Sequence, residues 1–183
     1  MARIENHKYS IEEAFRECLY IVPDYQREYV WTDKEVYQLL DDINEQIDDG
    51  STREYFIGTI LVSPNDQRGQ YDVIDGQQRL TTFYLLLCAL RQLFTGTPQR
   101  QMIDGLVSTS YVDHEGEIQS SLKLEPRYEH AGEVIAKLVE LDSDPQSVRA
   151  GIQASGIASF GSLENLIGAY GTIFSYLKDN YDD

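Results

Sequence analysis

A long apolar helix that directly follows a short strand is the feature that most constrains this chain. Residues 71–74 predict a strand, Asp75 and Gly76 a turn, and residues 77–94 a helix nearly continuous in Leu, Phe and Tyr. Because such a helix is apolar on most of its faces, it belongs in the centre of a domain. The other elements are therefore expected to pack around this strand-turn-helix unit.

Elements on both sides of this unit predict an α+β fold. Capping boxes at Ser10/Glu13 and Thr32/Glu35 open two helices, the second ending at Gly50. Residues 20–22 predict a short strand, and the β-branched and aromatic residues 55–62 a buried strand. Residues 110–112 and 118–124 predict a hairpin, residues 128–141 and 163–177 two helices, and residues 154–162 a loop.

Charge limits the kinds of ligand that the chain can bind. The 183 residues carry a net charge of −16, which weighs against a nucleic-acid module that depends on bulk electrostatics. The excess of acid is uneven, since residues 51–100 hold four acidic and five basic side chains. If an anion is recognised, residues 51–100 are the first place to look.

The turn at Asp75 and Gly76 combines several groups that suit a phosphate. Gly76 can adopt backbone angles that other residues avoid and lets a ligand come close. The N–H groups at the start of the next helix form an anion site, and Arg79 adds a guanidinium. Asp75 could hold Mg²⁺ or orient a water molecule. Neutral hydrogen-bonding groups come from Gln77, Gln78, Thr81 and Thr82.

A purely structural interpretation of the same turn remains open at this point. Asp75 would then be the N-cap of the helix, Arg79 would pair with an acid, and Thr81 and Thr82 would be exposed. Spacing alone does not decide between the two. The pair Gln77 and Gln78 favours a site, because neither glutamine is needed for a cap or for the core.

A second candidate region is the polar and aromatic loop of residues 23–31. Tyr25, Tyr29 and Trp31 could stack on a base, and Arg27 could meet a phosphate. The alternative is that Tyr29 and Trp31 plug the core beneath the loop while Arg27 pairs with one of its acidic neighbours. We favour this alternative for Trp31. The roles of Tyr25, Gln26 and Arg27 stay open at the level of sequence.

Other sites and locations are disfavoured by what the sequence lacks. It has no P-loop, no cluster of His and Cys with the spacing of a zinc site, and no nucleophile elbow. The acids of residues 41–49 read as a solvated helix face. No run is long enough for a membrane span, and the first residues lack the apolar stretch of a secretory signal, so we expect a cytoplasmic protein.

Three segments taken together resemble the N-terminal domain of GmrSD-type, modification-dependent restriction endonucleases. They read VPDYQREYVW at residues 22–31, YFIGTI at 55–60 and VIDGQQRLTT at 73–82, and their order and spacing both agree with the family. The match is strong over about residues 10–95. It implies a ParB/sulfiredoxin-like core over residues 1–100, with residues 101–183 as a hairpin and helical extension that continues into a longer protein.

The resemblance also implies a regulatory site for a nucleoside triphosphate, GTP, UTP or another, together with Mg²⁺. Asp75 would be the metal-linked or water-orienting acid and Gly76 the glycine of close approach, and Asp75 and Arg79 would serve any hydrolysis. The phosphate contacts would come from Gln77, Gln78 and Arg79, with Thr81 beside them. From the other loop, Tyr25, Gln26 and Arg27 would face the same pocket.

The resemblance is incomplete in one respect. Members of the family usually continue into a separate nuclease domain, and no such centre is visible in these residues. We therefore expect DNA to be engaged through the full-length protein or a nuclease on another chain, and leave a homo-oligomer open. Two alternatives remain, a ParB-like DNA-binding or nuclease module and a non-catalytic docking domain.

Overall fold

The chain has an α+β fold, as predicted. A computed structural model describes residues 4–48, 55–65, 69–112, 115–157 and 161–181. Its strands are β1 (Leu19–Val22), β2 (Leu61–Pro64), β3 (Gln70–Asp75), β4 (Ser108–Val112), β5 (Ile118–Leu122) and β6 (Leu124–Pro126). Its helices are α1 (Ile11–Glu17), α2 (Asp33–Asp48), α3 (Gln77–Leu93), α4 (Gln99–Val107), α5 (Ala131–Leu141), α6 (Pro145–Ala154) and α7 (Ser162–Tyr181).

A small mixed sheet positions the loops that matter for function. Its strand order is β2-β3-β1-β6, with β1 parallel to both β3 and β6 and with β2 antiparallel to β3 at one edge. Tyr20 of β1 is paired with Tyr71 on one side and Leu124 on the other. Because parallel strands point the same way, the chain leaves β1, β3 and β6 at the same edge of the sheet.

Helix α3 lies at the centre of the fold, as its sequence predicts. Leu85 and Ala89 have no exposed surface, and the buried Tyr84 hydroxyl donates a hydrogen bond of 2.8 Å to the Val107 carbonyl. The helix packs against α7 on one side and α4 on another. Neither α3 nor any other helix in the described part of the chain is long and apolar enough to span a membrane.

The two predicted capping boxes are present to different degrees. At α1 the Ser10 hydroxyl accepts from the Glu13 N–H while the Glu13 carboxylate accepts from the Ser10 N–H. At α2 the Glu35 carboxylate accepts from both the N–H and the hydroxyl of Thr32, each at 2.8 Å. Both helices therefore begin where the sequence predicts, whereas the predicted end of α2 at Gly50 lies outside the described residues.

The prediction of a buried strand over residues 55–62 is wrong. Residues 55–60 belong to no strand, and β2 begins only at Leu61 on an edge of the sheet where most of its side chains are exposed. Gly58 has a φ of +109°, a conformation that a regular strand excludes and that glycine tolerates. The segment therefore leaves the sheet and passes over the start of α3.

The part of the chain after α3 contains more helices and strands than its sequence predicts. The predicted hairpin forms from β4 and β5, but the second predicted strand divides, and β6 joins the main sheet. Helices α5 and α7 correspond to predicted helices, α5 beginning at Ala131 rather than at residue 128. Helices α4 and α6 are not predicted at all. Asp144 caps α6 by accepting from the N–H groups of Gln146 and Ser147.

The two proposed parts of the chain share one hydrophobic core. Leu124 of β6 and Ile173 of α7 belong to the same buried cluster as Val22 and Leu85. Helix α7 packs along both α2 and α3. The boundary near residue 100 stays a prediction, but residues on its two sides pack together.

Four charged side chains join α3, α4 and the end of α5. Arg91 and Arg100 both contact the Asp104 carboxylate, at 2.7 and 2.9 Å, and both reach Asp142, at 3.2 and 2.6 Å. The side chains of Arg91, Arg100 and Asp142 are only 17–21% exposed. Spacing in the sequence does not reveal this network, because its members come from three separate elements.

Acid should weaken the capping box of α1. Hydrogen bonds from the Ser10 backbone and hydroxyl lower the pKa of Glu13 below its ordinary value of 4.5. A carboxylate with a lowered pKa stabilises the fold fully above its ordinary pKa, and that contribution is lost as the pH falls through the folded value. We expect Glu13→Gln to have a lower Tm than the wild type at pH 6, with the difference shrinking between pH 4.5 and 3.

Differential scanning calorimetry across this pH range checks the prediction. Glu129→Gln is the control, since Glu129 is exposed and forms no hydrogen bond with other described residues. A Tm difference for Glu13→Gln that grows as the pH falls would contradict it.

Candidate functional site

The candidate site lies where the chain leaves the central strands of the sheet. Val22 ends β1 and leads into the loop of residues 23–31, and Asp75 ends β3 and leads into α3. Since β1 and β3 are parallel, these two departures are neighbours. In sheets of this kind, ligands bind in the crevice outside the carboxyl ends of the strands.

Gly76 is the N-cap of α3 and is in the left-handed region, with a φ of +86°. A Cβ at this position would lie 2.8 Å from Ile60 Cδ1 and 3.0 Å from the Thr59 carbonyl oxygen. Glycine is therefore required here both by backbone conformation and by the close approach of residues 59 and 60. The prediction of a tight, glycine-dependent turn is confirmed.

The interpretation of Asp75 as the helix N-cap is wrong. The cap is Gly76, no side chain caps the helix, and Asp75 instead accepts a 2.8 Å hydrogen bond from the Gly76 N–H. The first turn of α3 also contains no acidic residue. The helix start therefore has N–H groups without a capping side chain, and these groups suit an anion.

Arg79 lies in this first turn with its guanidinium against the loop of residues 55–60. A Cβ added at Gly58 would come within 2.7 Å of Arg79 Cζ, so the backbone of Gly58 covers the guanidinium closely. The side chain is half-buried, yet it forms no hydrogen bond or ion pair with any described residue. The prediction that Arg79 would pair with an acid, part of the structural alternative, is therefore wrong within the described residues. The alternative that Arg27 pairs with an acidic neighbour is wrong in the same sense, since its side chain contacts no described carboxylate.

The lack of a partner separates Arg79 and Arg27 from the other arginines. The rest of the arginines that the structure describes each pair with a carboxylate: Arg16 with Glu12, Arg91 and Arg100 with Asp104, Arg127 with Glu125, and Arg149 with Glu164. In a chain of net charge −16, two unpaired guanidinium groups are unexpected. Both arginines are candidate residues in the sequence, and both lie where the loop meets α3.

Three glutamines fasten the loop of residues 23–31 to β3 and α3. Gln26 donates from its side chain to the Ile74 carbonyl at 3.1 Å, and Gln77 donates to the Arg27 carbonyl at 3.0 Å. Gln78 both donates to the Glu28 carbonyl and accepts from the Val30 N–H, each at 2.8 Å. These amides therefore hold the backbone that carries Arg27, and their contact with phosphate stays a prediction.

The aromatic residues of the loop divide into buried and exposed ones. Tyr29 is 1% exposed, and its hydroxyl lies 2.8 Å from the Thr82 hydroxyl, while Trp31 packs partly buried against the core. Burial raises the pKa of Tyr29, so its hydroxyl stays protonated at neutral pH. The prediction that Trp31 plugs the core is confirmed. Tyr25, by contrast, is 72% exposed and is free to contact a ligand.

Thr81 and Asp75, two of the predicted polar ligand contacts, differ in how accessible their side chains are to solvent. Thr81 and Thr82 are both buried rather than exposed, and Thr82 donates back to the Gln78 carbonyl at 2.9 Å. Contact of Thr81 with a ligand stays a prediction, although its 2% exposure leaves little surface for one. Asp75 is exposed at the end of β3 and accessible from solvent.

The oxygen ligands available at the site suit Mg²⁺ only if the ion binds together with a nucleotide. No three His, Cys, Asp or Glu side chains of the described residues lie together as a metal site. Asp75 offers a single carboxylate, and Mg²⁺ in phosphate sites is commonly held by one or two carboxylates together with the phosphates themselves and water. A Mg²⁺ ion carried in by a nucleotide therefore fits these residues, whereas a site made by the protein alone does not.

Sequence reasoning missed the contribution of Gly58. Its segment packs over Arg79 and reaches Gly76, so it forms one wall of the site. A signal for it exists in the sequence, because a glycine inside an otherwise β-branched run often marks close approach of another group.

Removing the Gln78 side chain should loosen the loop more than removing that of Gln77. Gln78→Ala loses two hydrogen bonds to the loop backbone, whereas Gln77→Ala loses one. At about 1 kcal/mol for each bond, we expect Gln78→Ala to reduce the free energy of unfolding by about 2 kcal/mol and Gln77→Ala by about 1 kcal/mol.

Amide hydrogen exchange at Val30 gives the specific readout, since the Val30 N–H is bonded to Gln78. It should exchange faster in Gln78→Ala and be nearly unchanged in Gln77→Ala. Equal protection of Val30 in both variants would contradict the assigned role of Gln78.

Comparison with known families gives one match over nearly the whole chain. The model of the GmrSD restriction endonuclease, N-terminal domain, matches residues 7–182. The match therefore extends well beyond residues 10–95, where the sequence resemblance is strongest. A search among curated proteins finds no match.

Proposed function

Because the chain belongs to the GmrSD restriction endonuclease N-terminal domain family, we propose that it is a nucleotide-binding regulatory domain. Its family makes it a component of a restriction or phage-defence system. The proposed ligand is a nucleoside triphosphate, with GTP and UTP as the first candidates, bound with Mg²⁺. The proposed role is to control cleavage of foreign, modified DNA by a nuclease located elsewhere.

The observation that carries the proposal is that Arg79, in the first turn of α3, has no partner among the described residues, at a helix start without a capping side chain. Leaving a half-buried guanidinium without a carboxylate has an energetic cost that the fold does not offset among the described residues. A bound phosphate would offset it by forming two parallel hydrogen bonds with the planar guanidinium. The N–H groups of the first turn of α3 would add further donors to the same phosphate.

The other residues of the turn support this phosphate position. Because Gly76 has no side chain, residues 59 and 60 can close against the turn that leads into α3. Arg27 comes from the loop that Gln77 and Gln78 hold in place, so it can add a second positive charge without large loss of loop entropy. Asp75 would hold the nucleotide's Mg²⁺ or orient water, and the Mg²⁺ would neutralise phosphate charge.

The exposed side chain of Tyr25 is the proposed contact for the base. It lies on the same held loop, between Asp24 and Gln26, and nothing in the described part of the chain covers its ring. Any of the four bases can stack on an aromatic ring, so stacking on Tyr25 is compatible with both GTP and UTP. Polar groups near Tyr25 would then set the preference for one base.

Calorimetric titration of the purified chain with GTP, UTP, CTP and ATP, each with Mg²⁺, tests the proposal. We expect at least one triphosphate to bind, and inorganic phosphate to bind more weakly at the same site. Release of phosphate, measured for the wild type and Asp75→Asn, then reports whether hydrolysis occurs and needs Asp75. If no triphosphate binds at millimolar concentration, the proposal is wrong.

A DNA arm distinguishes the alternative of a DNA-binding module. That alternative predicts DNA affinity that falls steeply with salt and depends on Arg27 and Arg79. Our proposal expects weak DNA binding, because the acidic surface repels a polyanion. DNA binding lost in Arg79→Ala, without nucleotide binding by the wild type, would favour the alternative.

A further inference from the structure

Gly58 contacts the guanidinium of Arg79 so closely that no side chain fits between them. A Cβ added at Gly58 would overlap Arg79 Nη1 and would lie 2.7 Å from Cζ and 3.3 Å from Nε. Because the guanidinium is planar and its bond lengths are fixed, these distances place the added Cβ above the flat face rather than in the plane of the N–H groups. The backbone of Gly58 therefore covers one face of the Arg79 guanidinium.

The segment that carries Gly58 is anchored on both sides of this glycine. Ile57 and Ile60 are partly buried and pack against the hydrophobic core, and Ile60 also lies against Gly76. Gly58 itself has a φ of +109°, which residues with a side chain rarely adopt. The position of Gly58 over Arg79 is therefore determined by the packing of its neighbours and by its own lack of a side chain.

Contact with a glycine backbone differs from the way in which other arginines of this chain are held. Carboxylates orient Arg91 and Arg100, and they occupy N–H groups that a phosphate would otherwise use. Arg79 is half-buried but has no hydrogen-bonded or charged partner among the described residues. Packing over its flat face restricts the movement of the guanidinium without occupying the N–H groups in its plane.

We propose that Gly58 is a positioning residue, which holds the Arg79 guanidinium in a fixed orientation while its N–H groups stay available to a phosphate. That the ligand is a phosphate rests on the proposed function, whereas the contact between Gly58 and Arg79 does not. An arginine that is oriented in advance loses less side-chain entropy when it binds an anion. Arg27 is exposed instead, so we expect its side chain to become ordered only when a ligand binds.

Nuclear magnetic resonance of the arginine side chains tests this restraint on the full chain without any nucleotide. The heteronuclear NOE of each arginine Nε reports motion on the picosecond to nanosecond timescale, and the variants Arg79→Lys and Arg27→Lys assign the two signals. In the ligand-free wild type we expect a rigid Nε for Arg79 and a mobile one for Arg27. An Arg79 Nε as mobile as that of Arg27 would overturn the proposal.

A matched pair of glycine variants separates the contact from backbone strain. Gly58→Ala places a Cβ against Arg79, whereas Gly96→Ala places one at a φ of +82° with no other atom within 4 Å. Both variants should lower the Tm, because both put a side chain at a positive φ. Only Gly58→Ala should make the Arg79 Nε mobile and weaken binding of the preferred triphosphate by about five- to tenfold, since the guanidinium loses its alignment with the phosphate.

A double-mutant cycle shows whether Gly58 acts through Arg79. In the Arg79→Ala background, Gly58→Ala should cause no further loss of triphosphate affinity, while its effect on the Tm should persist. Equal losses of affinity in both backgrounds, or equal affinities of Gly58→Ala and Gly96→Ala, would overturn the proposal. If no triphosphate binds to the wild type, the proposed function is wrong, and the NOE of Arg79 then decides the role of Gly58. The same wild-type NOE decides it if Gly58→Ala does not fold.

Discussion

Arg79→Ala is expected to weaken binding of the preferred triphosphate by about ten- to a hundredfold and to leave the Tm nearly unchanged. Hydrogen bonds to a charged group are worth about 1.5–3 kcal/mol, and 1.4 kcal/mol corresponds to a tenfold change in affinity. Stability should change little, because Arg79 has no hydrogen-bonded or charged partner among the described residues. Calorimetric titration and thermal melting of the same samples give both values.

Two further variants make this result specific. Arg149→Ala removes the same charge at a site where Arg149 pairs with Glu164, and it should leave nucleotide affinity unchanged. Arg79→Lys keeps the charge but loses the planar fork, so it should restore part of the affinity. If Arg79→Ala binds as tightly as the wild type, the phosphate position at the start of α3 is wrong.

Arg100→Ala is expected to have the opposite pattern, with a loss of about 2–4 kcal/mol in the free energy of unfolding and unchanged nucleotide affinity. Arg100 bonds to Asp104, Asp142, the Arg91 carbonyl and the Thr95 hydroxyl, and its side chain is 18% exposed. Its removal leaves Asp142 with one cation fewer in a partly buried position, which is costly. For a chain of this length, the Tm should fall by roughly 4–16 °C.

Urea or thermal unfolding of Arg100→Ala and Arg149→Ala checks this prediction. Arg149 pairs with Glu164 through side chains that are 42% and 37% exposed, so its loss should cost at most about 1 kcal/mol. Similar losses in the two variants would show that the network of Arg91, Arg100, Asp104 and Asp142 contributes no more than a surface ion pair.

Local sequence signals predict those elements whose stability is local. The capping box of Ser10 and Glu13 forms as predicted, because both partners lie within one turn. Helix α3 is predicted within one residue, since its apolar character demands burial whatever surrounds it. The tight turn at Gly76 is also predicted, because a glycine between a strand and a helix permits the left-handed backbone angles that such a turn needs.

Signals that depend on distant partners are misleading or absent. Residues 55–60 have strand-like composition, but Gly58 and the position of Arg79 take them out of the sheet. The sequence does not reveal that Gln77 and Gln78 hold carbonyls and an N–H about fifty residues away, and their contact with phosphate stays a prediction. Helices α4 and α6 are short, with nine and ten residues, and they bury Leu106 and Val107, and Val148 and Ile152, against neighbouring elements.

The sequence by itself determined the α+β class, the central helix and the turn at Gly76, because local periodicity, capping and glycine geometry act over a few residues. It also identified Arg27 and Arg79 as candidate residues. It also determined the family resemblance, which the match over residues 7–182 extends. Only the tertiary structure decided which arginines lack a partner and which glutamines hold a loop. Pairing depends on distance in space, and in an acidic chain almost any arginine has a carboxylate that could reach it. That Arg27 and Arg79 are left without one among the described residues is a property of the fold.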